Sequence, residues 1–182
     1  MESVQSVLVD GFAVAKAFRD KHPAEFKLLC ETDLDWKYYE KGRSHFHARA
    51  PIINLDPHNP GEWTLFSLSV TLILSLQEKI VQIRWNHYDR SDMRHLLVHE
   101  PEKLDPLFDA IFKWRQELLS SPHRLEYCLT PGKMVIFDNW RVLHGRGRFQ
   151  GQRTLCGSYH DRQAFLSRLS VLRQEDCDMF NS

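Results

Sequence analysis

The stretch MVIFDNWRVLHGR (134–146) constrains this chain more than any other. MVIF reads as a fully apolar, buried strand. Asp138 and Asn139 break it, and WRVLHGR resumes extended structure. Side chains alternate along a strand. Trp140, Val142 and His144 therefore share one face, and Arg141 and Leu143 the other. This puts His144 at the end of an apolar inward face, just before Gly145, where the backbone can turn or be approached closely. RTLCGSYH (153–160) is expected to form a further strand, with Arg153, Leu155, Gly157 and Tyr159 on one face. An arginine directed into a protein interior needs an anionic partner, because an unpaired buried charge is very costly. Its planar guanidinium suits a carboxylate in bidentate geometry. A lone histidine on an apolar strand is usually a hydrogen-bonded core residue. With an inward arginine nine positions on, the pattern also fits a metal ligand beside a carboxylate site.

The rest of the chain alternates helical and extended patterns. VLVDGF is strand-like, only a few residues after Met1. AVAKAFRDKHPAEFKLLCE has apolar residues at helical spacing, with Pro23 dividing two helices. DWKYYE, HFHARAPIINL and IVQIRWNHY favour strands through β-branched and aromatic residues, and DPHNPGE (56–62) is a turn cluster. PEKLDPLFDAIFKWRQELL is an amphipathic helix with Pro101 in its first turn and Leu104, Leu107, Phe108, Ile111, Phe112 and Leu118 as its apolar face. RLEYCLT is a short strand. DRQAFLSRLSVL is a closing helix with Asp161 near its N-terminus, where negative charge is favoured. A frayed tail is expected from about residue 173. The segment TLFSLSVTLILSLQ (64–77) fits least well. Its 14 residues carry no charge, yet they fall short of the roughly 20 apolar residues that span a bilayer. It reads either as a buried element or as an insertion foreign to the fold.

Composition narrows the function. Among 182 residues, 24 basic side chains balance 24 acidic ones, so nothing calls for nucleic acid or an anionic membrane as partner. The four cysteines are widely spaced without any C-x-x-C, which argues against a zinc ribbon and for reduced thiols in an intracellular protein. The N-terminal residues lack the pattern of a signal or transit peptide.

FDNWRVLHGR followed by GQRTLCGSYHDR resembles the C-terminal signature of the γ-butyrobetaine and trimethyllysine hydroxylases, within the taurine-dioxygenase-like Fe(II)- and 2-oxoglutarate-dependent oxygenases. The resemblance runs back through IRWNHYDR to VLVDGF and covers most of the chain except 64–77 and the tail. IRWNHYDR and RTLCGSY look closer to the trimethyllysine branch. The resemblance implies an α+β, mainly β fold, an incomplete double-stranded β-helix (jelly roll) with flanking helices. It implies that residues 1–182 are the C-terminal portion of an oxygenase domain. It implies a hydroxylase of a trimethylammonium amino acid in carnitine biosynthesis, using Fe(II) and 2-oxoglutarate, with ascorbate as a candidate reductant. His144 matches the distal histidine of an iron-binding His-x-Asp…His triad, which leaves open positions for 2-oxoglutarate and oxygen. Arg153 matches the arginine that pairs with the far carboxylate of 2-oxoglutarate, and Arg146 is a second candidate contact there. Tyr159 matches an aromatic facing the trimethylammonium group, which aromatic faces attract. Asn86 matches a polar position near the substrate's other end. On a straight strand Arg153 and Tyr159 would lie ~20 Å apart at ~3.3 Å per residue, so a bend near Gly157 is expected.

The family's proximal His-x-Asp is expected upstream of VLVDGF, where little more than Met1–Ser6 stands, and the expectation is that no His-x-Asp or His-x-Glu occurs elsewhere in the chain either. One imidazole does not hold Fe(II) where the site is built for three ligands. The chain alone is therefore expected to be inactive, and 64–77 to be translated non-coding sequence. The other histidine pairs, His45/His47 and His95/His99, read as surface pairs. The alternative is a non-catalytic fragment that dimerises through open strand edges or regulates a full-length partner, or an inactive product. The trimethyllysine branch implies a mitochondrial home, the butyrobetaine branch a cytoplasmic one.

Overall fold

The computed structural model describes residues 6–57, 79–147, 152 and 154–173. The chain divides into two compact units, Met1–Phe149 and Gln150–Ser182. In the first, strand β1 (Ser6–Asp10) runs into helix α1 (Gly11–Lys21), followed by α2 (Pro23–Glu31), β2 (Leu34–Glu40), β3 (Ser44–Ala50), β4 (Ile53–Leu55) and β5 (Ile80–Ile83). Then come α3 (Arg94–His99), a 3-10 turn at Pro101–Lys103, α4 (Leu104–Ser120), β6 (Arg124–Tyr127) and β7 (Val142–Arg146). The second unit carries α5 (Arg162–Arg173), which Asp161 opens by accepting a 2.8 Å hydrogen bond from the Ala164 amide.

Local chemistry sets the boundaries. Asp10 accepts hydrogen bonds from the Phe12 and Ala13 amides at 3.1 and 3.2 Å, which caps α1. Pro23 has no amide to donate and a backbone preset for a helix start, so α1 ends and α2 begins there. β1 is the centre of a three-stranded antiparallel sheet, order β6-β1-β7; β2 pairs with β3, and β4 with β5. α1, α2 and α4 pack on one another and on these strands. Phe18, Leu29, Ile52, Ile53, Leu107 and Trp114 are the largest fully buried side chains. Phe18 meets Trp114 edge-on, with centroids 5.4 Å apart. Among the described residues, no helix is long and apolar enough to cross a membrane.

Several expectations need correction. The fold is α+β, but helices hold more of the described residues than strands do, and none of the three small sheets closes into a barrel. MVIF forms no strand: Met134 is 81% and Ile136 79% exposed, because no described strand pairs with this segment. Residues 154–160 likewise form no strand. The inner face of α4 is Leu107, Ala110, Ile111, Trp114 and Leu118, whereas Phe108 and Phe112 are exposed. Trp114 lies close to the stripe through Leu107, Ile111 and Leu118 and Phe112 far from it, while Ala110 and Phe108 flank it on opposite sides, and packing covers the Ala110 side. The 64–77 segment and the C-terminal tail lie outside the described residues.

Candidate functional site

β7 carries His144, and its register fixes where the imidazole goes. Leu8 of β1 stands opposite both Leu125 of β6 and His144 of β7, and Val9 stands opposite Leu143. Val9 is buried in the core and Leu143 packs against it. Since neighbours on a strand point to opposite faces, the row Leu125–Leu8–His144 lies on the face away from that core. This corrects the expectation of an inward-facing histidine: His144 is exposed, on an open face of the sheet. Its ring lies 5.0 Å from that of Phe137, inclined at 50°. Arg146, two residues on, is on the same face opposite Ser6, and exposed.

The start of β7 is pinned firmly. Arg141 lies in a turn rather than in the strand, and its guanidinium takes both Asp10 oxygens, Nε to Oδ1 at 3.1 Å and Nη2 to Oδ2 at 2.6 Å. The Arg141 guanidinium beside Asp10 holds that carboxyl below its ordinary value, helped by the capping amides and opposed by burial. The Arg141 group also sits over the Phe12 ring, 5.8 Å from its centroid. The Gly11 amide donates to the Arg141 carbonyl at 2.9 Å, and the Ile83 amide to the Trp140 carbonyl at 2.9 Å. The DNWR turn, the β1–α1 junction and β5 thus form one hydrogen-bonded knot immediately before β7, the strand that carries His144.

The other named residues fall elsewhere. Asn86 stands in the turn after β5. Its Nδ2 donates to Asp89 Oδ2 at 2.6 Å, and its Oδ1 accepts from the Tyr88 amide at 3.0 Å. Tyr159, in the second unit, is 92% exposed. Arg153 lies outside the described residues, so the expected bend between it and Tyr159 does too.

The chain does contain one His-x-Asp, His87-Tyr88-Asp89, inside the string IRWNHYDR, which corrects the expectation that the motif occurs nowhere in the chain. It follows β5 as a turn. His87 meets Trp85 edge-on with centroids 4.7 Å apart, and Asp89 is engaged by Asn86. Burial lowers the His87 pKa, and the nearby Arg90 and Arg115 charges lower it further, an environment unfriendly to a second cation. His47 pairs with Asp35 at 3.4 Å, and the His95 and His99 rings lie 4.8 Å apart, tilted at 49°, as surface pairs do. Among the described residues no three His, Cys, Asp or Glu side chains come together as a metal site. The residues described here do not by themselves fit an iron ion.

Comparison with known proteins places this geometry. The model of the taurine catabolism dioxygenase TauD, TfdA family matches residues 5–159. The chain is 31% identical over 169 residues to a trimethyllysine dioxygenase of Meyerozyma guilliermondii, covering 91% of this chain and 37% of that protein. It is 32% identical over 178 residues to the mitochondrial trimethyllysine dioxygenase of Mus musculus, covering 92% and 36%. It is 27% identical over 175 residues to the gamma-butyrobetaine dioxygenase of Homo sapiens, covering 93% and 40%. The chain thus spans less than half the length of these curated relatives, and all but its ends are matched. With DNWRVLHGR at the pinned start of β7 and the β1–α1 junction both inside the matched span, this chain belongs to the TauD/TfdA dioxygenase family.

Proposed function

We propose that this chain is the part of a 2-oxoglutarate-dependent hydroxylase that contributes the distal iron ligand and the 2-oxoglutarate anchor. The substrate class is a trimethylammonium amino acid, trimethyllysine before γ-butyrobetaine, and the role lies in carnitine biosynthesis. The observation that carries the proposal is the family match over residues 5–159, which includes the string bearing His144. In this reading His144 supplies one imidazole. Arg153, with Arg146 as a second candidate, takes the far carboxylate of 2-oxoglutarate through charge-assisted hydrogen bonds. Tyr159 faces the trimethylammonium group, and Asn86 lies toward the substrate's other end. Iron and 2-oxoglutarate would supply the oxidising chemistry, while the protein binds, orients and shields. Among the described residues no further side chains join His144 in a metal site, and in this reading the chain by itself does not turn over. The mouse relative is named mitochondrial, and we assign this chain to the same compartment.

The test is a chimera. The portion of a trimethyllysine dioxygenase that this chain does not match is joined to residues 1–182, with and without 64–77. Succinate and hydroxylated product are then followed with Fe(II) and 2-oxoglutarate present. Turnover that disappears in His144→Ala and needs far more 2-oxoglutarate in Arg153→Leu is the expected result. A folded chimera without turnover, or activity that survives His144→Ala, would sink the proposal.

A second reading has its own observation. The open sheet face through Leu125 and the apolar run at 134–137 leave large side chains in solvent, and such patches mark interaction sites. A non-catalytic subunit that pairs with another protomer there fits those exposures. Sedimentation of the isolated chain distinguishes it: an inert monomer speaks against this reading.

A further inference from the structure

His95 and His99 stand one turn apart on α3 and so share a face. Their ring centres lie 4.8 Å apart. His95 is half-buried and His99 exposed. Leu96, beside them, is buried in the core and seats the helix. The pair is therefore held against the fold on one side and open to solvent on the other.

That separation suits two imidazoles on one metal ion. A zinc ion lies ~2.0–2.1 Å from an imidazole nitrogen, hence about 3.2 Å from the ring centre, and two rings set between a right angle and a tetrahedral angle about the ion have centres about 4.5–5.2 Å apart. Histidines at i and i+4 of a helix bring two nitrogens to one ion. The local charge favours a cation. Between residues 92 and 103, Asp92, Glu100 and Glu102 face only Arg94 and Lys103 as fixed positive charges, and Asp33 lines a crevice with His95. The Lys103 ammonium holds the Glu100 carboxyl below its ordinary value, opposed by burial and helped by His95 and His99, so this carboxylate lies within electrostatic reach of both imidazoles. Among the described residues no third His, Cys, Asp or Glu side chain joins the pair, which leaves water for the other positions. The helix also gains from a clamp. It has six residues, and Met93 at its N-terminus makes no side-chain cap; helices this short are marginal without outside support.

We propose that His95 and His99 form a two-imidazole chelate for a divalent transition-metal ion of the zinc, nickel and copper class, which ties successive turns of α3 together. The site uses neither His144 nor Arg153, so it stands or falls independently of the hydroxylase reading.

Zn(II) is the probe, titrated into the full 182-residue chain without 2-oxoglutarate. Binding is followed by the imidazole C–H resonances of His95 and His99. Both should move together with one midpoint and a dissociation constant roughly between 1 and 100 µM, since two ligands supply about half of what a four-ligand zinc site does. Amide exchange should slow at Leu97 and Glu100, which donate to the Met93 and Leu96 carbonyls within α3. His99→Asn should weaken the response of His95 at least roughly tenfold, because the second imidazole no longer acts at high effective concentration. Mg(II), which prefers oxygen ligands, should leave both rings unmoved. If His99→Asn fails to fold, the shared midpoint in the parent chain decides the question. Separate midpoints for the two rings, an unchanged His95 response in His99→Asn, or an equal response to Mg(II) would each overturn the proposal.

Discussion

Replacing Gly11 with alanine tests the knot that seats β7. A Cβ at Gly11 would stand 2.8 Å from the Arg141 carbonyl oxygen and 3.1 Å from Ile83 Cγ1. The first neighbour is backbone and cannot swing away. The same backbone atom accepts the 2.9 Å hydrogen bond from the Gly11 amide, so pushing it off also weakens that bond. Overpacking costs ~1–3 kcal/mol, and a weakened hydrogen bond ~0.5–1.5 kcal/mol. Alanine returns at most ~1 kcal/mol of helix propensity, and less at the first helical position. The net is a loss of about 1–3 kcal/mol, or a midpoint lowered by roughly 2–10 °C for a chain of this size. Urea unfolding followed by tryptophan fluorescence measures it. Amide exchange should quicken at Ile83, whose amide donates to Trp140 in the same knot. Gly132→Ala is the contrast: its φ of +81° disfavours a side chain, but nothing lies within 4 Å of the new carbon, so exchange at Ile83 should not change. A neutral or stabilising Gly11→Ala would refute the account of the junction.

Asp10→Asn keeps a competent helix cap but loses the bidentate charge pairing with Arg141, at a cost of about 1 kcal/mol near neutral pH. The Asp10 pKa is depressed below 3.8, so its contribution is present above that unfolded value and lost as pH falls through the folded one. The deficit of the variant should therefore shrink below about pH 3.8 in parallel denaturation curves. Trp114 is fully buried with no partner for its indole nitrogen among the described residues. Trp114→Phe should cost about 1 kcal/mol, because it removes an orphaned donor, whereas Trp114→Ala should cost ~3–5 kcal/mol. His144→Ala should change stability by less than about 0.5 kcal/mol, since the side chain is exposed. A larger loss would mean that the imidazole is packed within the fold.

The local elements were legible in the sequence because their causes are local. Pro23 separates α1 from α2 through a ring that has no amide hydrogen. Asp161 reads as a helix opener because its oxygen can reach an amide three residues on. The family was legible in one string, DNWRVLHGR, within the span that the family model matches. The knot around Asp10 and Arg141 was not, because its partners stand 131 positions apart and neither residue type announces such a pairing.

Alternation along WRVLHGR determined that Leu143 and His144 must face opposite ways, and that much is covalent geometry. It could not determine which face is covered. That depends on what packs against the sheet, and here α1 and the core lie behind Val9 and Leu143, leaving Leu8 and His144 on the open face. MVIF makes the same point. Four apolar residues carry the composition of a buried strand, but burial is a property of the partner as much as of the segment. Among the described residues no strand pairs with it. Sequence by itself decided what each segment is able to become; tertiary packing decided which face meets the core and which histidine stands in solvent.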